Sequence, residues 1–156
     1  IPQIEQNYFK FLGFTPAPVL CLAVEEVIAE KIRAASQRSK IRDLYDLAEI
    51  SRRPLNQKII RSLAVLKLWQ SGGEGLNFDR FHQRVQAGED YNIQDLQNLL
   101  RKDQKPDLDK MIEQVCSEFK FLKQLTEIEC KLSTDSSRRL RREAEILQAE
   151  IRTKSI

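Results

Sequence analysis

The chain has 156 residues, 31% of them charged and 41% hydrophobic, with 26 lysines and arginines against 23 acidic residues and a formal net charge of +3. That is the size of one ordinary domain with enough apolar side chains for a core, and with 5 glycines and 5 prolines a turn-dense all-β fold and Pro-rich disorder are excluded. No apolar run approaches the ~18 residues that cross a bilayer, so a transmembrane helix and a membrane partner are excluded as well.

In chain order, residues 4–14 carry Tyr8, Phe9, Phe11, Leu12 and Phe14, which suits a strand or packed loop, broken by Gly13 and Thr15-Pro16-Ala17-Pro18. Val19-Leu20-Cys21-Leu22 reads as one short strand. From Val24 to about Gln37 the spacing turns helical, and a second helix begins near Lys40 and ends by Arg53, before Pro54. Leu55–Trp69 is the third helix, stopped by Ser71-Gly72-Gly73. Asn77 or Asp79 caps a short helix through Val85 that Gly88 ends, and Asn92 caps another through Leu100. Asp107 opens a long helix running to at least Leu125. Ser133-Thr134-Asp135 marks a break and a new cap, and the last helix spans Ser136 to about Arg152. Its stripe of Leu140, Ala144, Leu147 and Ile151 at 4-3-4 spacing requires a partner surface. The organisation expected is a core segment over 1–53, a helical domain over 54–132 and a basic amphipathic helix over 133–156.

Charge is uneven. From Lys131 onward seven basic residues face four acidic ones, so this tail carries the whole positive excess. Its densest part, Arg138, Arg139, Arg141 and Arg142, is the candidate contact for RNA or a partner protein, although Glu143 and Glu145 follow at once and a mixed-charge solvated helix is the plainer description. Cys21, Cys116 and Cys130 are too few and too scattered for a zinc motif or a disulfide framework, and read as thiols of a reducing cytoplasm. No metal site is read on the chain. It opens at Ile1-Pro2, without the features of a signal peptide, which reads as a cut point in something longer.

The informative stretch is Val24 to Leu47, VEEVIAEKIRAASQRSKIRDLYDL. On a wheel advancing about 100° per residue, Val24, Val27, Ile28, Ala34 and Ala35 share one face. Lys31 falls in its middle and Arg38 two turns along the same line. An ammonium inside an apolar stripe is costly unless paired, so a carboxylate or a ligand phosphate is required. On the next helix Leu44, Leu47, Ala48 and Ile50 define the apolar side. Asp43 lies between two of them, in the first turn where the helix dipole favours an anion, and Asp46 lies on the flank one turn from Arg42. Two cations facing two carboxylates are either a structural ion-pair knot or a site that handles phosphate. Both readings stand at this level.

The same stretch resembles a segment of AbiEii-type nucleotidyltransferase toxins, a family of abortive-infection and toxin–antitoxin proteins. The matching residues are Glu25, Glu26, Glu30, Lys31, Ala34, Arg38, Arg42, Asp43, Tyr45, Asp46 and Leu47, preceded by Val19 to Leu22, with the spacing Lys-x6-Arg-x3-Arg-Asp-x2-Asp. The resemblance implies a mainly α chain: the helical C-terminal portion of an α+β nucleotidyltransferase-like fold, with one or two short N-terminal strands. It implies a Mg²⁺-dependent transfer of nucleotides from an NTP to RNA, tRNA ends among the acceptors, and a cognate antitoxin. By resemblance Lys31, Arg38 and Arg42 are the nucleotide-binding residues, and Lys31, Asp43 and Asp46 the catalytic set. The family's Gly-Ser/Thr element and acidic strand pair, whose carboxylates hold the metal, are absent before Lys31. The expectation is therefore a C-terminal part, inactive alone and metal-free, whose N-terminal part is missing. The alternative is a non-catalytic helical module that binds RNA or an antitoxin. His82 and Trp69 read as packed side chains, without a catalytic or base-stacking role.

Overall fold

The structure, a computed structural model, describes residue 13 and residues 20–72, 74–88, 91–101, 103 and 105–154. Among these the chain is helical and contains no strand. The helices are α1 (Val24–Gln37), α2 (Ile41–Ile50), α3 (Gln57–Ser71), α4 (Phe78–Ala87), α5 (Ile93–Gln97), α6 (Leu108–Glu118), α7 (Glu127–Thr134) and α8 (Arg141–Lys154), with a 3-10 helix at Phe119–Lys123. The strands expected over 4–14 and 19–22 fall outside the described residues, except that residue 13 sits in a turn and residues 20–23 take no regular structure.

Local chemistry explains most boundaries. Asn56, Asn77, Asn92 and Asp107 each accept a backbone N–H in the first turn of α3, α4, α5 and α6, satisfying donors that the helix leaves open. Gly72 and Gly88 end α3 and α4 in the left-handed region, where glycine carries no Cβ penalty.

The expected long helix from Asp107 breaks. After Glu118 it tightens into the 3-10 helix, and α7 starts afresh behind a complete capping box. Thr126 takes the Glu129 N–H, and the Glu129 carboxylate takes the Thr126 N–H at 2.8 Å. The final helix starts at Arg141 rather than Ser136, because residues 136–137 form a turn and Arg138 adopts a left-handed backbone with φ 53°.

The centre of the fold is α3. Ile59, Ile60, Ala64, Val65, Leu66 and Leu68 are buried around most of its circumference, the signature of a helix enclosed on several sides. α1 covers one flank, while α7 and α8 cover another. α2 bridges α1 to α6, and α4 lies against α1 and α6. Phe81, Phe119, Leu96 and Leu122 fill the layer between them, all fully buried. The stripe on α8 finds its partner here: Ala144 and Leu147 are buried, with Leu140 and Ile151 packed beside them. The α3–α4 connection passes so close to the end of α7 that a Cβ on Gly75 would sit 2.0 Å from the Ser133 carbonyl oxygen.

Candidate functional site

α1 buries Ile28, Ala29, Ile32, Ala34 and Ala35, whereas Val24, at its first turn, is exposed. The buried face thus centres on Ile28, Ile32 and Ala35 rather than on the line through Val24 and Val27, and Lys31 lies on its flank instead of in its middle. Its stem is covered and its ammonium emerges at the α1–α2 junction, with the side chain 29% exposed. There it meets Asp43 Oδ1 at 3.2 Å and Asp46 Oδ2 at 2.6 Å. Arg38, the first residue after α1, extends back so that its Nε donates to Asp43 Oδ2 at 2.9 Å. Both oxygens of Asp43 are thus engaged by cations. α2 carries Asp43 in its first turn and packs Leu44, Leu47 and Ala48 inward. The same amphipathic register that builds the core therefore holds the carboxylate in place.

The structure thus brings together Lys31, Arg38, Asp43 and Asp46. Arg42 belongs to the same helix turn but points to solvent, and forms no ion pair among the described residues. The cluster is polarised: the Asp43 side chain is 4% exposed, while that of Arg38 is 59% exposed. The Asp43 carboxylate is held inside and the Arg38 guanidinium is presented outward, while at the rim Asp46, 40% exposed, pairs with Lys31, 29% exposed. Burial works against the Lys31 ammonium, but the hydrogen bond and charge of Asp46, joined by those of Asp43, overcome it and raise the Lys31 pKa. Lys31 is a permanent cation near neutral pH. Behind it, burial pushes the Tyr91 phenol up to about 12, with the charge of Asp43 contributing.

A second ion pair makes the contrast clear. Arg61 Nε donates to Glu129 Oε2 at 2.8 Å and Ser62 Oγ donates to Glu129 Oε1 at 2.7 Å. Here both side chains are enclosed, Arg61 at 10% and Glu129 at 1% exposure. Both carboxylate oxygens of Glu129 are engaged and the pair is almost wholly enclosed, which is the form of a structural tie between α3 and α7. Sequence reasoning passed over this pair. The available signal was the Thr126-x-x-Glu129 spacing, which marks a capping box and hence a helix start.

The other sequence-level candidates lie elsewhere. Arg138, Arg139, Arg141 and Arg142 are exposed at the start of α8, on the α3–α7–α8 side of the molecule. His82 stacks on Phe78 with ring centroids 5.4 Å apart and faces a groove of about 520 Å³ between α4 and α6. Cys116 lines the same groove, but burial raises its thiol pKa, which opposes the thiolate a nucleophile needs. Trp69 is half-buried and donates its indole N–H to Asp135 at 3.1 Å.

Among the described residues no group of three or more His, Cys, Asp or Glu side chains is placed to hold a metal. The donor set at the α1–α2 junction does not suit Mg²⁺ either, since both oxygens of its buried carboxylate are already neutralised by cations.

The family profile for the nucleotidyl transferase AbiEii toxin, of the type IV toxin–antitoxin system, matches residues 2–138. The chain belongs to the AbiEii family. Its fold is also that of a solved relative: the MenT4 nucleotidyltransferase toxin from Mycobacterium tuberculosis superimposes with a TM-score of 0.76 at 26% identity, over 95% of this chain and 51% of that one. The AbiEii chain described here therefore spans about half the length of that toxin. No curated protein matches the sequence. The cluster at Lys31 lies inside the family match, whereas α8 lies beyond its end at residue 138. No helix among the described residues is long and apolar enough to cross a membrane.

Proposed function

We propose that this chain forms the C-terminal part of a nucleotidyltransferase toxin that moves nucleotides from an NTP to an RNA acceptor, with tRNA as a candidate, and that the α1–α2 cluster receives the NTP phosphates. The observation that carries the reading is the outward polarity of that cluster. The buried Asp43 carboxylate holds Lys31 and Arg38, Arg38 turns most of its side chain to solvent, and Arg42 adds an exposed cation beside them. A purely structural knot seals its charges, as Arg61 and Glu129 do. A phosphate site keeps cations accessible and pre-oriented, so that they need no reorganisation when charge arrives.

Lys31 takes the role of phosphate ligand. Asp43 orients both Lys31 and Arg38, and Asp46 completes the set from the rim. The Mg²⁺ of the complete enzyme is held by acidic residues outside these 156, and this chain alone does not transfer nucleotides. Membership in a toxin–antitoxin family supports a cognate antitoxin as partner.

The test uses the protein together with its upstream coding sequence, assayed for transfer of labelled NTP to RNA with Mg²⁺. Lys31→Ala lowers the rate by about 10²–10³-fold, the loss typical of one pre-organised charge-stabilising group, and Asp46→Ala lowers it as well. Transfer that survives both substitutions at the parental rate refutes the assignment.

A further inference from the structure

Four exposed arginines, Arg138, Arg139, Arg141 and Arg142, gather at the entrance to α8. Asp135 organises the turn before them. Its carboxylate accepts the Trp69 indole N–H at 3.1 Å, the Ser137 hydroxyl at 2.8 Å and the Leu140 N–H at 2.8 Å. Arg138 follows with φ 53°, the single non-glycine residue in the left-handed region among those described. Glycine or asparagine is at ease there and a long side chain is strained. The arginine is held nonetheless. Its guanidinium lies against Gly72 so closely that a Cβ on that glycine would fall 1.2 Å from Nη2.

No anion explains this placement. Arg33, Arg38, Arg52, Arg61 and Arg80 all pair with carboxylates, but none of Arg138, Arg139, Arg141 and Arg142 forms an ion pair among the described residues. Beside them the α3–α8 groove, about 280 Å³, is lined by Trp69, Gln70, Arg141, Glu145 and Gln148. An aromatic ring, two amides and Arg141 at one groove, with Arg138, Arg139 and Arg142 exposed near it in the chain, match a single-stranded nucleic acid: arginines for successive phosphates, the indole ring and amides for a base.

We propose that the α3–α8 junction is a binding site for single-stranded RNA, with Arg138, Arg139, Arg141 and Arg142 on the phosphates and Trp69 lining the base pocket. This deepens the acceptor half of the preceding reading and rests on it for RNA as the polyanion. Trp69 and Arg138 lie inside the family match and Arg139, Arg141 and Arg142 beyond its end at residue 138. Glu145, on the groove wall, keeps the pocket from being a uniform cationic sink and favours a docked strand over indiscriminate polyanion capture.

The test needs no nucleotide transfer. A labelled single-stranded RNA of about a dozen nucleotides is titrated with the protein, followed by anisotropy and by the emission of Trp69, the chain's only tryptophan. Saturable binding is expected, with indole quenching tracking the anisotropy and a log–log salt slope of about 0.7 per phosphate neutralised. Arg138→Gly weakens binding about ten-fold, the loss of one charge-assisted contact, while the melting temperature holds or rises because the backbone strain is relieved. Replacing all four arginines by alanine abolishes binding, and Lys31→Ala leaves it unchanged.

The proposal is overturned by no saturable binding at low salt, by binding without a change in Trp69 emission, or by an Arg138→Gly variant of parental affinity. Equal affinity for matched single-stranded DNA and heparin also overturns it, as does a four-arginine variant that loses a protein partner while RNA never bound. None of these outcomes touches Lys31-dependent transfer. Loss of that transfer dependence with RNA binding intact refutes the phosphate assignment alone.

Discussion

Replacing Glu129 by alanine tests the distinction between a sealed ion pair and an open one. The substitution leaves the Arg61 guanidinium, 10% exposed, without its carboxylate, and strips acceptors from Ser62 Oγ and the Thr126 N–H. Breaking one side of a buried pair costs about 3–5 kcal/mol, and the lost cap contact, about 1 kcal/mol, is smaller than the width of that range. A loss of about 4 kcal/mol is a large share of the ~5–15 kcal/mol that holds a domain folded. With a urea slope of about 2 kcal/mol/M, the midpoint falls by about 2 M. Trp69 emission reports the transition, since its indole is tied to Asp135 between α7 and α8. The paired replacement Arg61→Met with Glu129→Leu recovers most of the loss, because an apolar pair of similar volume carries no desolvation debt. Asp46→Ala, at a carboxylate 40% exposed, costs about 1 kcal/mol or less. A Glu129→Ala loss under about 1.5 kcal/mol, or one no larger than that of Asp46→Ala, refutes the reasoning that burial separates the two clusters.

Acid should loosen the α7–α8 junction. Backbone hydrogen bonding from Leu140, aided by Trp69 and Ser137, lowers the Asp135 pKa to about 2 from 3.8. Its contribution is whole above 3.8 and drains away as pH falls toward the folded value. Trp69 emission between about pH 5 and pH 2 therefore shows a step that Asp135→Asn abolishes; a step that persists in the variant contradicts the assignment. Lys31 behaves in the opposite sense. Its pKa is raised above 10.5, so its ion pairs stabilise fully below that value and are lost as pH climbs through the folded one. Urea midpoints measured from about pH 9 to pH 11.5 should fall more steeply for the parent than for Lys31→Met, and parallel curves would rule this out. Gly75→Ala drives a Cβ against the Ser133 carbonyl oxygen; the backbone must move, and a loss of about 1–3 kcal/mol in a denaturant melt is expected, with no loss marking the contact as slack.

Much of the fold was legible because its signals are local. Asn77, Asn92 and Asp107 announce helix starts within one turn, and Gly72 and Gly88 announce ends, whereas the cap at Asn56 was missed and its helix read from Leu55. The helix Val24–Gln37 was legible in its extent, although the face it buries is turned toward Ile32 from the one drawn through Val24 and Val27. The long-helix reading from Asp107 failed because Phe119, Phe121, Leu122 and Leu125 continue an apolar pattern across the 3-10 turn. Periodicity does not register a break that preserves which side faces the core. Lys31 was legible as a cation requiring an anion. Its choice of Asp43 and Asp46 over water needed the angle between α1 and α2.

The sequence by itself determined the helical class, the positions of the caps and a lysine that had to find a carboxylate or a phosphate, because those features act over a few residues along one chain. Tertiary structure alone decided which charges are shut in and which look outward. Arg61 and Glu129 stand 68 residues apart and close on each other only when α7 docks on α3, and Arg138 reaches Gly72 only across the same interface. Solvent access sets the energy of an ion pair, and solvent access is a property of packed helices rather than of their order in the chain.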